Sequence, residues 1–457
     1  MTTISTPRFD LTTPAHRTFV QLLVNTLMVS VMNFTVWFAI TFWVFLQTRS
    51  VLATGMVAGI FLAATAATGI WFGSLVDHYR KRRVMQISAL TSLMIYAVCF
   101  GIYQLTPRAA FTDPTNVVLW VFVVLCMAGV IAGNVRSIAL STLVTLLIAE
   151  DRRDKANGLV GTTSGVSFLV TSVISGVLVA AGDMFYVLLL AMAVLALAAV
   201  HLAFVSIDDR PAVELGAEGK PAKKRVDLLG TIRLVRGIPG LLALIAFSCF
   251  NNFLGGAFMA LMDAYGLSLM SVQSWGLLWG ALSTGFIIGG LAVAKTGLSQ
   301  NPLRLLLIIN LVLWGVTCLF PLQPSIVLLT AGMAVYMVLI PYAEAAEQTI
   351  LQRVVPYERQ GRVFGFAQSV EQAASPLTAF MIGPIAQLVF IPFMTDGAGV
   401  DLIGGWFGTG ADRGIALVFV LTGVAGLVLT TVALLSKYYR QLSERYAQSR
   451  EQQPAVV

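Results

Sequence analysis

Two carboxylates lie inside an apolar stretch of the chain. Glu344 and Glu347 occur in YAEAAEQ, within the longer run LLTAGMAVYMVLIPYAEAAEQTILQR. A spacing of three places both side chains on one face of a helix. A charge at the centre of a bilayer costs about 2.5–3.5 kcal/mol on insertion scales, so these groups must face protein or water and not lipid. Desolvation favours the protonated, neutral form of a carboxyl group. Such a group can therefore take up a proton from one side of a membrane and release it on the other.

Three further ionisable residues accompany this pair. Glu371 lies in the next apolar run, Asp263 lies near the end of FMALMDAYG, and Arg136 lies in an earlier run. At 1.5 Å per helical residue, Glu344 lies about 21 Å and Arg136 about 22 Å from the loops that follow their helices. These similar depths predict an Arg136–Glu344 ion pair. Three interpretations stay open: the five groups couple proton movement, they form structural ion pairs and hydrogen bonds, or they bind substrate directly without protons.

The composition indicates the elements that must position these groups. The chain has 57% hydrophobic residues, 11% charged residues and a mean hydropathy of +0.84 over 457 residues. A soluble protein is about half apolar and a quarter charged, so this composition predicts an integral membrane protein. A membrane-spanning helix needs about 20 apolar residues. The sequence predicts an all-α fold with twelve such spans, at roughly 19–46, 51–76, 84–105, 117–148, 157–181, 184–206, 239–265, 272–294, 304–322, 325–351, 364–391 and 414–436.

The positive charges are distributed unequally between the two sides of the predicted bundle. All but four of the 29 Lys and Arg fall on the side that carries both termini; Arg49, Arg108 and Arg413 fall opposite, and Arg136 lies within a span. Cytoplasmic loops carry an excess of Lys and Arg. We therefore expect a multi-pass protein of the cytoplasmic (inner or plasma) membrane with both termini in the cytoplasm. Juxtamembrane basic clusters account for the net charge of +7 without a nucleic-acid partner.

One long polar connection divides the predicted spans into two sets. The stretch from Ser206 to Gly237 predicts a linker at 207–237, which separates an N-terminal six-helix bundle at 1–206 from a C-terminal six-helix bundle with a tail at 238–457. Transporters built from two such repeats bind substrate between them, near the membrane midplane. The Gly-rich connection from Phe393 predicts an irregular surface loop, with a lid over the outward cavity as the alternative.

Polar, aromatic and Met residues form stripes at helical spacing in two spans. Such side chains suit a small amphiphilic compound of variable shape, because Met repacks readily and aromatic rings offer broad contact surfaces. The alternative is ordinary helix packing with hydrogen bonds between helices. The substrate-binding prediction covers Ser30, Asn33, Trp37 and Thr41 in the first span and Asn252 and Met259 in the seventh.

The sequence offers no motif for nucleotide hydrolysis or for a metal. No Gly-rich phosphate loop followed by Lys-Ser or Lys-Thr occurs, and the 3 His and 4 Cys are scattered singly along the chain. We therefore expect a protein that is not an enzyme and that needs no metal or other cofactor. The working expectation for its oligomeric state is a monomer.

The loop after the second span carries a recognisable motif. GSLVDHYRKRRVM starts at Gly73 and supplies Asp77, Lys81 and Arg82, whereas Arg80 replaces a second glycine. This pattern resembles the signature of the major facilitator superfamily, in which the matching Asp contacts the start of the eleventh helix. The resemblance implies a gating motif made of Gly73, Asp77, Lys81 and Arg82.

Within that superfamily, the chain is similar to the drug:proton antiporter branch that includes macrolide-efflux proteins and the enterobactin exporter. The similarity lies in LVNTLMVSVMNFTVWFAITFWVF, EDRRDKANGLVG and TILQRVVPYERQGRVFGF. It implies proton-coupled efflux of small amphiphilic compounds or drugs. The fifth span keeps only Gly176 of the branch's antiporter motif, and Asn33 stands where the branch often has a carboxylate. The alternatives are an uptake carrier, a lipid or siderophore transporter of the same fold, and a transport-inactive receptor or scaffold.

Overall fold

The computed structural model describes residues 13–48, 51–207 and 227–451, and the regular structure within these ranges is helical. The basic cluster from Lys220 to Arg225, Arg49 and most of the predicted linker lie outside the described residues. The helices are α1 Pro14–Thr48, α2 Val51–His78, α3 Lys81–Leu105, α4 Val117–Leu147, α5 Arg153–Phe204, α6 Leu228–Gly237, α7 Leu241–Leu269, α8 Val272–Thr296, α9 Pro302–Leu319, α10 Ile326–Val354, α11 Gln360–Ile385, α12 Ile391–Thr395, α13 Ala398–Phe407, α14 Ala411–Leu435 and α15 Lys437–Glu451.

The predicted number of membrane spans is confirmed. Among the described residues, 11 helices are long and apolar enough to cross a membrane. One of them, α5, has 52 residues and is broken at Gly182 and Asp183, where φ of Asp183 is 54°. Its length of about 78 Å is more than twice the thickness of the hydrocarbon core. α5 therefore supplies two spans, and the described chain has twelve.

The spans form two groups that meet along two lines of contact. We call α1–α5 the N-half and α7–α14 the C-half. The largest contacts between them join α2 to α11 and α5 to α8. Glycines allow the close approach: a Cβ at Gly73 would collide with the carbonyl oxygen of Gly361, and one at Gly158 would lie 2.5 Å from the backbone nitrogen of Ala294. Small residues let helix backbones approach in this way.

Both chain ends of the described residues lie at the same end of the bundle. We call it the motif end, because Asp77 is there, and the opposite end the far end. One apolar core at the motif end contains residues of both halves, such as Phe19, Ile350 and Leu442. Towards the far end the apolar core divides into one cluster per half. The halves therefore share a core at one end only.

The connection from Phe393 is ordered, so the prediction of an irregular loop there is wrong. It contains α13, and a buried arginine from α14 holds the end of that helix. Arg413, 1% exposed, donates to the carbonyl oxygens of Pro321 at 3.0 Å and Phe407 at 3.3 Å and to the Tyr265 hydroxyl at 3.1 Å. A buried guanidinium needs such acceptors, and satisfying them fixes the connection.

Candidate functional site

Two carboxyl groups of the C-half lie beside each other. Glu347 of α10 and Glu371 of α11 form this pair, and Glu347 Oε1 accepts from the Ser248 hydroxyl of α7 at 2.6 Å. Two carboxylates placed side by side away from water repel each other, and a proton on one of them removes this repulsion. The structure therefore brings α7, α10 and α11 together around a carboxyl pair that is suited to hold a proton.

Prolines lie close to these carboxyls in both helices. Pro341 is inside α10 and Pro376 is inside α11. A proline in a helix cannot donate to the carbonyl four residues earlier, so it loosens the helix at that turn. Pro341 also packs near Gly161 of α5 and Gly289 of α8, at 3.4 and 3.2 Å from a Cβ placed at those glycines. α10 is thereby held against both halves beside a turn that bends easily.

Glu344 lies about one turn closer to the far end than Glu347. Its side chain is exposed, as is that of Tyr336 on the same helix, 45%. Both side chains are nevertheless surrounded by protein at longer range. The two observations fit groups that line a deep open space. We call the space between the halves that α1, α7 and α10 border the central cleft.

The predicted ion pair between Arg136 and Glu344 is wrong. Arg136, 1% exposed, donates from Nη2 to Asn25 Oδ1 and from Nη1 to the carbonyl oxygen of Met85 at 2.7 Å. These partners lie on α1 and α3, so Arg136 is inside the N-half. Asn25 in turn donates to Ala198 O at 2.8 Å. Depth along a helix was similar for the two charges, but their side chains point in different directions around their helices.

The predicted stripe on α1 is only partly directed at the central cleft. Asn33, 6% exposed, accepts from the Tyr96 hydroxyl at 2.9 Å and packs against Gly133, so it belongs to the interior of the N-half. Trp37 stacks on Phe61 of α2 with ring centroids 4.0 Å apart. Asn33 is therefore not a cleft residue, because the neighbouring α3 and α4 cover its face of α1.

The face of α1 between its contacts with α2 and α5 points into the cleft. Phe38 contacts Phe168 of α5, whereas Trp37 contacts α2. Phe34, 43% exposed, lies between these two directions, as do the half-buried Ser30 and Thr41. Phe34 was not among the predicted residues. The sequence signal that would have found it is the row of aromatic residues at a spacing of four, Phe34, Phe38 and Phe42.

The predicted stripe on α7 shares a face with Ser248, which contacts the carboxyl pair. Asn252 and Met259 follow Ser248 by 4 and 11 residues, and both are exposed, Met259 by 62%. Asp263 continues this face, but it lies close to the far end. There it accepts from the Trp275 indole of α8 at 2.9 Å. The structure thus brings Glu344, Glu347 and Glu371 together and separates Asp263 from them.

The motif after α2 connects the two halves. Asp77, 3% exposed, accepts from the backbone nitrogens of Gly361 at 2.7 Å and Arg362 at 2.9 Å and from Arg362 Nε at 3.2 Å. These donors lie at the start of α11, where a helix presents unpaired N–H groups and a positive dipole end. Gly73, one turn away, lets α2 and α11 touch. Asp77 therefore receives a charge-assisted bond and two backbone bonds from the opposite half.

The basic residues of the motif have different positions. Lys81 is 1% exposed, and its Nζ lies 4.9 Å from the ring centre of Tyr357, which belongs to the C-half. Arg82 donates to the carbonyl oxygen of Ala203 at 2.6 Å, within the N-half. Lys81 therefore takes part in the contact between the halves, whereas Arg82 joins α3 to the end of α5.

A second contact closes the motif end on the α5 side. Glu150 forms an ion pair with Arg353 of the C-half, and the Tyr446 ring of α15 stacks on that guanidinium at 4.5 Å. Nearby, Asn157 donates to Thr349 Oγ1 at 2.9 Å and to Gln352 Oε1 at 3.0 Å. Two separate polar contacts, one on each side, hold the halves together at this end.

The far-end glycines of the described helices show no comparable contact. A Cβ placed at Gly59 of α2, Gly176 of α5, Gly280 of α8 or Gly383 of α11 would meet no atom within 4 Å. The same four helices are in tight contact nearer the motif end. The central cleft is therefore closed at the motif end and open towards the far end.

The sequence pattern of the Major Facilitator Superfamily matches residues 22–379, which is most of the chain. The protein belongs to this superfamily. It is accordingly a multi-pass membrane transporter of small molecules and is assigned to transport rather than to catalysis. The fold supports secondary transport by alternating access.

Solved structures share this superfamily fold at low identity. The human organic anion transporter MFSD10 (TETRAN) has a TM-score of 0.66 at 12% identity, with 92% of this chain and 100% of that chain covered. A bacterial homologue of the iron transporter ferroportin, in an outward-facing state with soaked iron, has 0.63 at 14%, with 92% and 99% covered. The proton:xylose symporter XylE has 0.63 at 14%, with 94% and 99% covered. No curated protein sequence matches this chain.

Proposed function

We propose that the protein exports small cationic amphiphilic compounds or drugs in exchange for protons. The observation that carries the proposal is the pairing of the carboxyl groups of Glu347 and Glu371, because two adjacent carboxylates away from water favour the binding of one proton. The pair lies on two helices of the C-half that meet the N-half, so a rocking motion of the halves changes what surrounds it.

The proposed exchange follows from charge balance. With the cleft open to the outside, the pair takes up a proton; with the cleft open to the cytoplasm, a cation displaces that proton. When the cleft changes the side to which it is open, Glu347 and Glu371 then carry either a proton or a cation. They never make this change as two bare anions. An unneutralised charge at mid-membrane costs about 2.5–3.5 kcal/mol, which would slow the crossing about 70- to 400-fold.

The lining of the central cleft supports the choice of cargo. Glu344 adds a third carboxyl group beside the pair, and Phe34, Tyr336 and Met259 add exposed aromatic and thioether surface. Carboxylates attract cations, aromatic faces stabilise them, and Met adapts to different shapes. Arg136, which could have favoured an anion, is buried inside the N-half.

The basic residues gathered at the motif end bear on how the protein is oriented in its membrane. We propose a cytoplasmic (inner or plasma) membrane location with the motif end in the cytoplasm, supported by the excess of Lys and Arg on that side. The working unit is a monomer of two six-helix bundles, 1–206 and 238–457, joined by the linker 207–237. In this orientation the structure corresponds to an outward-open state, and Asp77 acts as the cytoplasmic gate latch.

The test uses protein in lipid vesicles with ethidium, a cationic aromatic dye, and an imposed proton gradient. We expect dye to move against the proton flux, and we expect Glu347→Gln and Glu371→Gln to reduce this flux at least tenfold. Glu358→Gln is the matched control, because Glu358 is an exposed glutamate of the motif-end turn. Dye that moves with the protons would indicate an uptake carrier. No gradient-dependent flux of any cationic probe would favour a transport-inactive receptor or scaffold and contradict the proposal.

A further inference from the structure

A buried contact joins α4 of the N-half to α10 of the C-half at the closed end of the central cleft. Gln352 of α10, 2% exposed, donates from Nε2 to the carbonyl oxygen of Ser141 of α4 at 3.0 Å. Both helices end at the motif end, where Glu150 and Arg353 form their ion pair. Residues with lower numbers in α4 and in α10 therefore lie further towards the open end of the cleft, and the Gln352–Ser141 contact sets the level from which both walls can be compared.

The face of α10 that makes this contact carries two more polar side chains. Gln348 and Glu344 precede Gln352 by four and eight residues, so all three share one stripe of the helix. At 1.5 Å per residue, Gln348 lies about 6 Å and Glu344 about 12 Å above the contact. Glu344 is exposed, whereas Gln348 Oε1 is buried and receives no hydrogen bond within the described residues. Gln348 therefore lies at the bottom of the open space, with an acceptor that these parts of the chain do not satisfy.

α4 carries a matching polar stripe on the opposite wall. Ser137 and Asn134 precede Ser141 by four and seven residues, so they lie about 6 and 10 Å above the same contact. Ser137 is exposed and Asn134 is half-buried, although most of α4 is packed in the core. Ser137 and Gln348 therefore share one level, and Asn134 and Glu344 share the next. We call these four side chains the cleft floor.

The open hydrogen-bonding positions of the cleft floor are mainly acceptors. The Ser137 hydroxyl donates to the carbonyl oxygen of Asn134 at 2.8 Å, so its own oxygen can only accept a further bond. An ionised Glu344 carboxylate has acceptors alone, and Gln348 Oε1 lacks a donor. A buried acceptor without a donor is unfavourable. The cleft floor therefore favours a ligand that brings N–H groups.

We propose that the cleft floor binds the charged end of cations that carry N–H donors, such as protonated primary amines, and binds quaternary ammonium ions more weakly. This inference rests on the proposed export of cationic compounds. A primary ammonium group has three N–H donors and one positive charge. It can therefore satisfy Ser137, Gln348 and Glu344 together, whereas the methyl groups of a quaternary ion leave these acceptors unpaired. Gln348 follows Glu347 in the chain, so a cation on the cleft floor lies close to the pair whose proton it displaces.

The test measures displacement of ethidium from the purified full chain in detergent, through the change in dye fluorescence. Ethidium fits the inference because its two amino groups supply N–H donors. The competitors are 1-naphthylmethylammonium and its N,N,N-trimethyl derivative, which have the same ring and the same charge at pH 7 and differ in their N–H groups. We expect the primary ammonium ion to displace the dye at about tenfold lower concentration, since one hydrogen bond to a charged group contributes about that factor.

Two variants test whether the cleft floor is the origin of this preference. Ser137→Ala and Gln348→Met each remove an acceptor, so each should reduce the tenfold preference to about threefold or less, while the concentration needed of the trimethyl compound changes by less than about twofold. The matched control is Gln323→Met, because Gln323 is an exposed glutamine in the turn after α9 at the far end. It should keep the wild-type preference.

The outcomes separate this inference from the proposed function. Equal displacement by the two competitors in the wild type would overturn the inference and leave proton-coupled export of ethidium intact. A preference that is unchanged in both variants would overturn the assignment to the cleft floor. Ethidium that does not bind at all would overturn the proposed function and the inference together. The comparison of competitors on the wild type decides the matter even if a variant fails to fold.

Discussion

Replacing Asp77 by Asn should open the motif end. Asp77 accepts two backbone N–H groups and one guanidinium N–H of the opposite half at 2.7, 2.9 and 3.2 Å. Asn offers one acceptor oxygen, turns an NH₂ group towards another donor, and carries no charge. Hydrogen bonds to charged groups contribute about 1.5–3 kcal/mol each, so we take the loss as about 2–3 kcal/mol. The ratio of motif-end-closed to motif-end-open protein should fall about 30- to 160-fold.

The assay is a distance measurement between spin labels across the motif end. Asp151 and Glu358 are exposed and belong to opposite halves, so cysteines at these positions can carry the labels. The partly exposed Cys249 and Cys318 are first replaced by Ala. We expect a single short distance in the wild type and a population of longer distances in Asp77→Asn.

The control for this measurement is Asp113→Asn. Asp113 is an exposed far-end carboxylate whose oxygen accepts bonds within its own turn, from Thr115. It should leave the label distances unchanged. An Asp77→Asn protein that is folded, by its Tm, and still shows the wild-type distances would refute the reasoning that Asp77 holds the halves together.

Further changes separate the contacts described above. Gly73→Ala should destabilise the motif-end-closed state, because its Cβ would collide with a backbone carbonyl, whereas Gly176→Ala, which faces open space, should not; label distances check both. Tyr446→Ala removes the ring stacked on the inter-half ion pair and should destabilise the motif-end-closed state by about 0.5–2 kcal/mol, seen as a smaller population of longer label distances than in Asp77→Asn. Arg136→Gln should lower the free energy of unfolding by about 1–3 kcal/mol for each buried partner left unsatisfied, which a lower Tm would show. Glu344→Gln should leave the Tm unchanged, and a large drop would indicate an ion pair that the structure lacks.

The spans were predictable because their signal is local. About 20 apolar residues in a row identify a membrane-spanning helix without knowledge of its neighbours. The signal for the boundary between the predicted fifth and sixth spans is also local, and the structure breaks α5 there, at Gly182 and Asp183. The order in α13 was not predictable from its glycines, because it depends on Arg413, whose acceptors come from α7 and from the connection after α9.

The candidate site was predictable in depth but not in direction. Apolar context identified Glu347 and Glu371 as carboxyls inside membrane spans, and their positions along α10 and α11 bring them to one level. Asn33 and Arg136 had equally suitable depth. The helix faces that carry them were expected to line the cleft, but α3 packs against both faces. Which face of a helix meets the cleft is decided by the helices beside it, and the period of one sequence segment does not contain that information.

The most direct test is whether a cation displaces a proton from Glu347 and Glu371. Ethidium is added to purified protein in a weakly buffered solution, and proton release and dye binding are recorded together. The account predicts proton release in step with binding in the wild type, and binding without release, or no binding, when both glutamates are replaced by Gln. Dye that binds the wild type without releasing protons would contradict it.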